Sequence, residues 1–206
     1  EYGDEVYLGG GGQTALIIRY CDVKGGMSSI KAEAGNVVQL GPTNIDADPH
    51  FADAAALDFH LLYDSPCRNA GKNNEASLPG QDFEGDPRIH QNLADIGADE
   101  FHPHLYITGE AKPGGLIQIK FIGLPGAAPV GLFVGTGLLD PPMPTMYGLW
   151  HLEQPWILYG LMGTIPPGGA LVVPAYLPNH LNAPYDVPLQ AMIDLTLTNF
   201  FLLEVR

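Results

Sequence analysis

The stretch NIDADPHFAD, residues 44–53, sets Asp46, Asp48 and Asp53 around a proline and a phenylalanine. Three chemistries are open to such a loop. It can hold calcium, a hard cation that collects oxygens from Asp side chains and loop carbonyls, with Asp22 and Asp58 near in sequence as further donors. It can carry acid–base work. Or it can close a fold, its carboxylates accepting turn amides as Asx turns do while Phe51 docks in a core. The spacing lacks the central Gly and terminal Glu of a helix–loop–helix calcium site. The expectation is therefore closure, with calcium at Asp46, Asp48 and Asp53 as the alternative and no other cofactor.

Outward from that loop, the chain of 206 residues is rich in turn formers, with 26 Gly and 19 Pro and no collagen-like period. Few stretches of helix length escape both residues, so short strands joined by tight turns are expected. The net charge is −14, and residues 1–103 hold 6 basic against 17 acidic side chains. That field repels phosphate backbones and anionic lipids, which argues against nucleic acid and membrane partners. The apolar runs are far too short to cross a bilayer as a helix. The chain opens directly on acidic residues, as a mature form or a piece of a longer protein would.

The two halves differ in pattern. In the first, apolar bursts are brief: EVYL (5–8), ALIIRYCDV (15–23), NVVQL (36–40) and DFHLLY (58–63), with hardly any strand signal from Arg68 to Asn92. ALIIRYCDV is apolar on both faces, Leu16, Ile18 and Tyr20 against Ile17, Cys21 and Val23, as in a strand covered on both sides. From His104 onward, LYITG (105–109), GLIQIKFIGL (115–124), VGLFVGTG (130–137), WILYG (156–160), ALVVPAYL (170–177) and QAMIDLTLTNFFLLEV (190–205) recur, punctuated by PGG, LPG, DPPMP and PPGG. LIQIKFI alternates, Ile117, Ile119 and Phe121 opposite Gln118 and Lys120, the pattern of an antiparallel sandwich. The expected division is 1–103 and 104–206, at EFHPHL, the second part an immunoglobulin-like β-sandwich.

RYCDVKGG, NIDADPHFAD, DFHLLYDSPCRNAG, DFEGDPR and DIGADEF follow one another in that order. Together they resemble the C-terminal closure of a right-handed parallel β-helix of the pectate-lyase-like superfamily, as found in large secreted bacterial proteins. The resemblance covers about residues 15–101. It departs at Arg68 and Asn69, where that pattern has an aliphatic residue and an aspartate. The second half resembles the β-sandwich modules that follow such helices. What this implies is an all-β protein: a short β-helix remnant with capping loops, then the sandwich. The end of a stacked coil must be capped because its edge amides are bare. Phe51, Phe59, Leu61 and Phe83 are candidates to plug it. Its opposite end calls for missing upstream rungs, a neighbouring subunit, or an added strand from Glu1–Leu8.

Other chemistry is sparse. Asp95, Asp99 and Glu100 in DIGADE can in principle serve as an acid–base pair; the resemblance makes them part of the final strand and turn. The seven histidines are scattered, and neither HExxH nor a Cys/His cluster occurs. GGGG (9–12) lacks the helix and Lys of a phosphate loop, and no G-x-S-x-G occurs. Cys21 and Cys67 can pair in an oxidising compartment or remain buried thiols in a reducing one. Tyr147, Trp150, Trp156 and Tyr159 offer aromatic faces to a glycan, or fill a sandwich core.

The expected function is a non-catalytic structural or adhesive module, extracellular or at the cell surface. Its expected partners are copies of itself, assembled head to tail into a fibre by stacking or by addition of the last strand, or upstream rungs, or a polysaccharide. The alternatives are the C-terminal part of a polysaccharide lyase or glycoside hydrolase with its active site upstream, and a carbohydrate-binding module.

Overall fold

The computed structural model describes residues 6–10, 12–74, 76–90, 93–126, 128–180 and 182–206. The chain is all-β and divides into two compact units, 1–101 and 102–206. No helix among the described residues is long and apolar enough to cross a membrane.

In the first unit, pairing is parallel and long in reach. Strand β1 (Val6–Leu8) pairs with β3 (Ile30–Ala32), and β2 (Ala15–Ile18) with β4 (Val37–Leu40). Asp22 forms a parallel bridge to Ile45. Each partner lies 22 to 24 residues further along the chain. Between the paired stretches, asparagine side chains take over the backbone's hydrogen bonds, which must be met somewhere. Asn36 Oδ1 accepts from Thr14 N–H while its Nδ2 donates to Leu8 O. Asn44 Oδ1 accepts from Cys21 N–H, and its Nδ2 donates to Ile18 O and Gly41 O. Along ALII, Leu16 and Ile18 are half-buried but Ile17 is exposed. This strand is covered on one face only, contrary to the two-faced reading.

Val6–Leu8 is thus one of the paired strands and not an added cover. The rest of Glu1–Leu8, Glu1 to Glu5, and Gly11 of GGGG lie outside the described residues. After Asp46 the pairing turns antiparallel, with β5 (Phe51–Asp53) against β6 (Asp58–Leu61) around a 3-10 turn at Ala54–Ala56. From Leu62 to Phe101 the described residues carry only the isolated bridges Gln81–Pro87 and His90–Leu93.

The second unit is an antiparallel β-sandwich. One sheet has the order β13 (Ala170–Tyr176), β8 (Leu116–Ile122), β7 (His104–Gly109). The other has the order β12 (Ile157–Thr164), β9 (Pro129–Val134), β14 (Tyr185–Ile193), β15 (Thr196–Val205). Alternate residues of both sheets meet in one core, including Leu105, Ile117, Ile119, Phe121, Leu132, Leu189 and Val205, as facing sheets require. This is the strand arrangement of an immunoglobulin-like sandwich. Asn199 completes it, its amide accepting from Leu105 N–H and donating to Leu105 O, so one side chain stands in for a strand's backbone beside β7.

Two expectations along this half are corrected. The run 190–205 is not one strand but a hairpin, β14 turning into β15 at Asp194 and Leu195, both with positive φ. That turn is the type that matches strand twist, made without the usual glycine. DPPMP is not mere punctuation either. It lies in β10 (Leu138–Thr145), which pairs with β11 (Gly148–Leu152), the register lapsing between Leu138 and Met143 where the prolines have no N–H to give.

Candidate functional site

The first unit's acidic residues are the natural place to look for chemistry, and the structure commits most of them to backbone amides. Asp46 accepts from Gly25 N–H, Asp48 from His50 N–H and Asp53 from Ala56 N–H. These three do not gather ligand atoms for one ion: among the described residues they form no cluster of metal-ligating groups. The loop fastens neighbouring turns, so calcium at Asp46, Asp48 and Asp53 has no geometric support.

The DIGADE acids are more deeply engaged. Asp95, Asp99 and Glu100 are all buried. Asp95 uses both oxygens, Oδ1 for Asn69 N–H at 2.6 Å and Oδ2 for Phe101 N–H at 2.8 Å. Glu100 does likewise for His90 and Asp95 N–H. Asp82 accepts from the amides of Glu84, Gly85 and Asp86 with one oxygen and from Glu100 N–H with the other. A segment without strands cannot pair its amides in a ladder, and buried amides left bare are costly; carboxylates supply the acceptors. Gly71 packs against the same segment, its N–H donating to Ala94 O. A Cβ there would sit 2.8 Å from the carbonyl oxygens of Ala94 and Asp95.

Sequence reasoning missed one constellation. His60 Nδ1 lies 2.5 Å from Asp58 Oδ1 and Nε2 lies 2.8 Å from Glu84 Oε2, with Asp99 holding Leu61 N–H beside it. Burial opposes a charge on His60, but the hydrogen bonds to Asp58 and Glu84, with the charges of Glu84 and Asp99, outweigh it and raise its pKa to about 10. Burial raises Asp99 to about 7, against the pull of the Leu61 amide and His60. A histidine locked as a cation between two carboxylates is a clamp, not a base. The only sequence signal is the alternation in Asp58–Phe59–His60, which gave no hint of Glu84.

The linkage has a definite sign. Folded His60 keeps a proton that the unfolded chain, with a histidine value of 6.5, gives up. Its contribution to stability is full below pH 6.5 and is lost as pH rises towards about 10. Asp99 adds the same sign between 3.8 and about 7. Between pH 7 and 9 the unfolding free energy should fall by up to about 1.4 kcal/mol per pH unit on account of His60. Thermal denaturation across that range, compared with His60→Gln, checks this: the slope should flatten in the variant.

The expected plug is incomplete. Leu61 is buried, but Phe59 is 46% and Phe83 58% exposed. Phe51 and Phe59 pack edge to face and line an open, largely apolar cleft of about 670 Å³ together with Leu61, Phe83 and Ile96. Cys21 and Cys67 both reach this cleft, and both are free thiols, not a disulfide. Cys67 donates to Asp22 Oδ2. Burial, with Asp22 close by, pushes its pKa up to about 11, so it is a poor nucleophile. Arg68, the departure from the closure pattern, packs its guanidinium over the rings of Tyr63 and Phe101.

In the second unit the four aromatic residues separate. Trp150 is buried, packed at 4.8 Å from Trp156 and 5.2 Å from Phe133, its Nε1 donating to Leu152 O. Trp156 and Tyr147 are partly exposed, and Tyr159 is open on the edge strand β12. Trp150 is a core residue, so a platform of all four, Tyr147, Trp150, Trp156 and Tyr159, is not formed.

No protein-family model matches the chain, and no curated protein does. Among solved structures it is similar to an immunoglobulin-like protein from Pseudomonas aeruginosa, at 14% identity and a TM-score of 0.31, over 52% of this chain and 94% of that one. A likeness of that size carries no argument; the sandwich stands on strand order and a shared core.

Proposed function

We propose that the chain is a non-catalytic structural or adhesive module of the cell exterior, its first unit the closing end of a parallel β-helix and its second a sandwich carried on it. The observation that carries this reading is the recurring offset of 22 to 24 residues between parallel partners, stitched by Asn36 and Asn44. Such an offset is the turn length of a stacked coil. The backbone commitments of Asp46, Asp48, Asp53, Asp95 and Glu100 favour a closure over a reaction centre.

Self-association uses bare strand edges. Donation of the last strand is disfavoured, since β15 is paired with β14 from Thr196 to Val205. The two-stranded parallel sheets of the first unit have unpaired edges among the described residues, and so does β12. The run ILYGLMGT of β12 has no charge and exposes Ile157, Leu158, Tyr159 and Leu161. Edges of that kind recruit another chain. Sedimentation and electron microscopy of the purified chain should find concentration-dependent, extended assemblies, and a broad polysaccharide panel should be left uncleaved. A monomer at high concentration, or reproducible cleavage, defeats the proposal.

A further inference from the structure

The phenylalanines expected to plug the first unit instead line an open cleft of about 670 Å³, a recess of small-ligand size. Phe51 is half-buried, Phe59 and Phe83 are exposed, and Phe51 packs edge to face on Phe59 at 5.4 Å. The ring of Phe83 lies 5.6 Å from that of His60. Tyr20 also lines the cleft, but Lys72 already stands 5.7 Å from its ring centre. The rings open to a ligand are therefore the three phenylalanines.

The charged side chains on this lining are Asp22 and Asp99, and no Lys, Arg or His lines it. Asp99 is only 6% exposed. Its Oδ2 accepts from Leu61 N–H, while its Oδ1 accepts from no described residue. Asp22 accepts from Ala47 N–H and from the Cys67 thiol, bonds that do not neutralise a carboxylate. Neither acid forms an ion pair among the described residues. His60 acts on Asp99 through its charge, but its two ring nitrogens are held by Asp58 and Glu84. A carboxylate set among apolar walls lacks both water and a counter-ion, so a cation brought into the cleft relieves it. The faces of the phenylalanine rings attract a cation as well, and the chain's net charge of −14 acts in the same direction. An anion would meet two carboxylates and no cationic side chain.

We propose that this cleft binds a small apolar amine, its ammonium donating to Asp99 Oδ1 and its hydrocarbon part lying against Phe51, Phe59 and Phe83. An oxygen with an open acceptor position calls for an N–H, which selects a protonated amine over a quaternary ammonium. Asp22 supplies a second negative charge on the same lining.

Ligand-observed NMR titration of the full chain with phenethylamine, phenethyl alcohol and phenylacetate, three probes of one shape, tests it. The titration is run at pH 8, above the value of about 7 that burial gives Asp99. Phenethylamine should saturate the chain and bind less tightly as salt is added. The neutral alcohol should bind about tenfold more weakly, and phenylacetate should not compete. Asp99→Asn should weaken the amine about tenfold and leave the alcohol's affinity and the circular dichroism spectrum unchanged. The ranking of the three probes on the parent chain stands whether or not that variant folds. The proposal is overturned if phenethylamine does not saturate, if the alcohol or the acid binds as tightly as the amine, or if a folded Asp99→Asn chain holds the amine as tightly as the parent.

Discussion

Replacing Gln190 with methionine is expected to destabilise the sandwich unit by about 3 kcal/mol or more, although methionine fills nearly the same volume. Gln190 is fully buried at the centre of β14. Its Oε1 accepts from His151 N–H, and its Nε2 donates to Leu149 O and to Thr198 O. One amide thereby ties the β10–β11 hairpin to β14 and to β15. Removing it strands three backbone groups, of which the Thr198 carbonyl is on a buried residue and the other two are on partly covered ones. Each unsatisfied buried group costs about 1–3 kcal/mol, and the thioether returns nothing comparable. Urea denaturation followed by Trp150 and Trp156 fluorescence reads the loss. A cost under about 1 kcal/mol would mean that the hairpin is not held this way.

The second large effect separates two neighbouring acids. Asp95→Asn is expected to cost about 2 kcal/mol or more, because both Asp95 oxygens receive an N–H and an asparagine must turn its own NH₂ against one of them. Asp99→Asn should be close to neutral. Only one Asp99 oxygen, Oδ2, takes a backbone amide, that of Leu61, which the Asn oxygen can still accept. Burial already holds this carboxyl at about 7, so a neutral isostere removes a disfavoured charge. Thermal midpoints of the two variants, at one pH near neutrality, check the contrast. Equal effects would contradict the staple account, since it assigns the two residues different numbers of amides.

These contrasts also explain what the sequence could and could not reveal. LIQIKFI was legible because a half-buried strand repeats every two residues, and Ile117, Ile119 and Phe121 do point into the core. The aspartates of NIDADPHFAD were legible as turn fasteners because their amides lie close in the chain for Asp48 and Asp53. Where partners are distant, nothing local announced them. Gln190 looks like an ordinary polar residue until three backbone stretches close around it. His60 and Glu84 meet only through the irregular path of residues 62–101. The turn at Asp194–Leu195 escaped because Leu195, unlike Asp194, is not a residue that usually takes positive φ. The apolar plug was over-read: Phe59 and Phe83 are hydrophobic, but exposed aromatic side chains are common enough that composition alone does not bury them.

Parallel pairing at an offset of 22 to 24 residues in the first unit is what the proposed function rests on most, and it is directly measurable. Scalar couplings across hydrogen bonds, in isotope-labelled protein, should link Val37 N to the Thr14 carbonyl, Gly41 N to Ile18, and Ile45 N to Cys21. Cross-strand contacts should join Leu16 to Val38 and Ile17 to Gln39. Couplings that instead pair these segments antiparallel, or at a different offset, would contradict it.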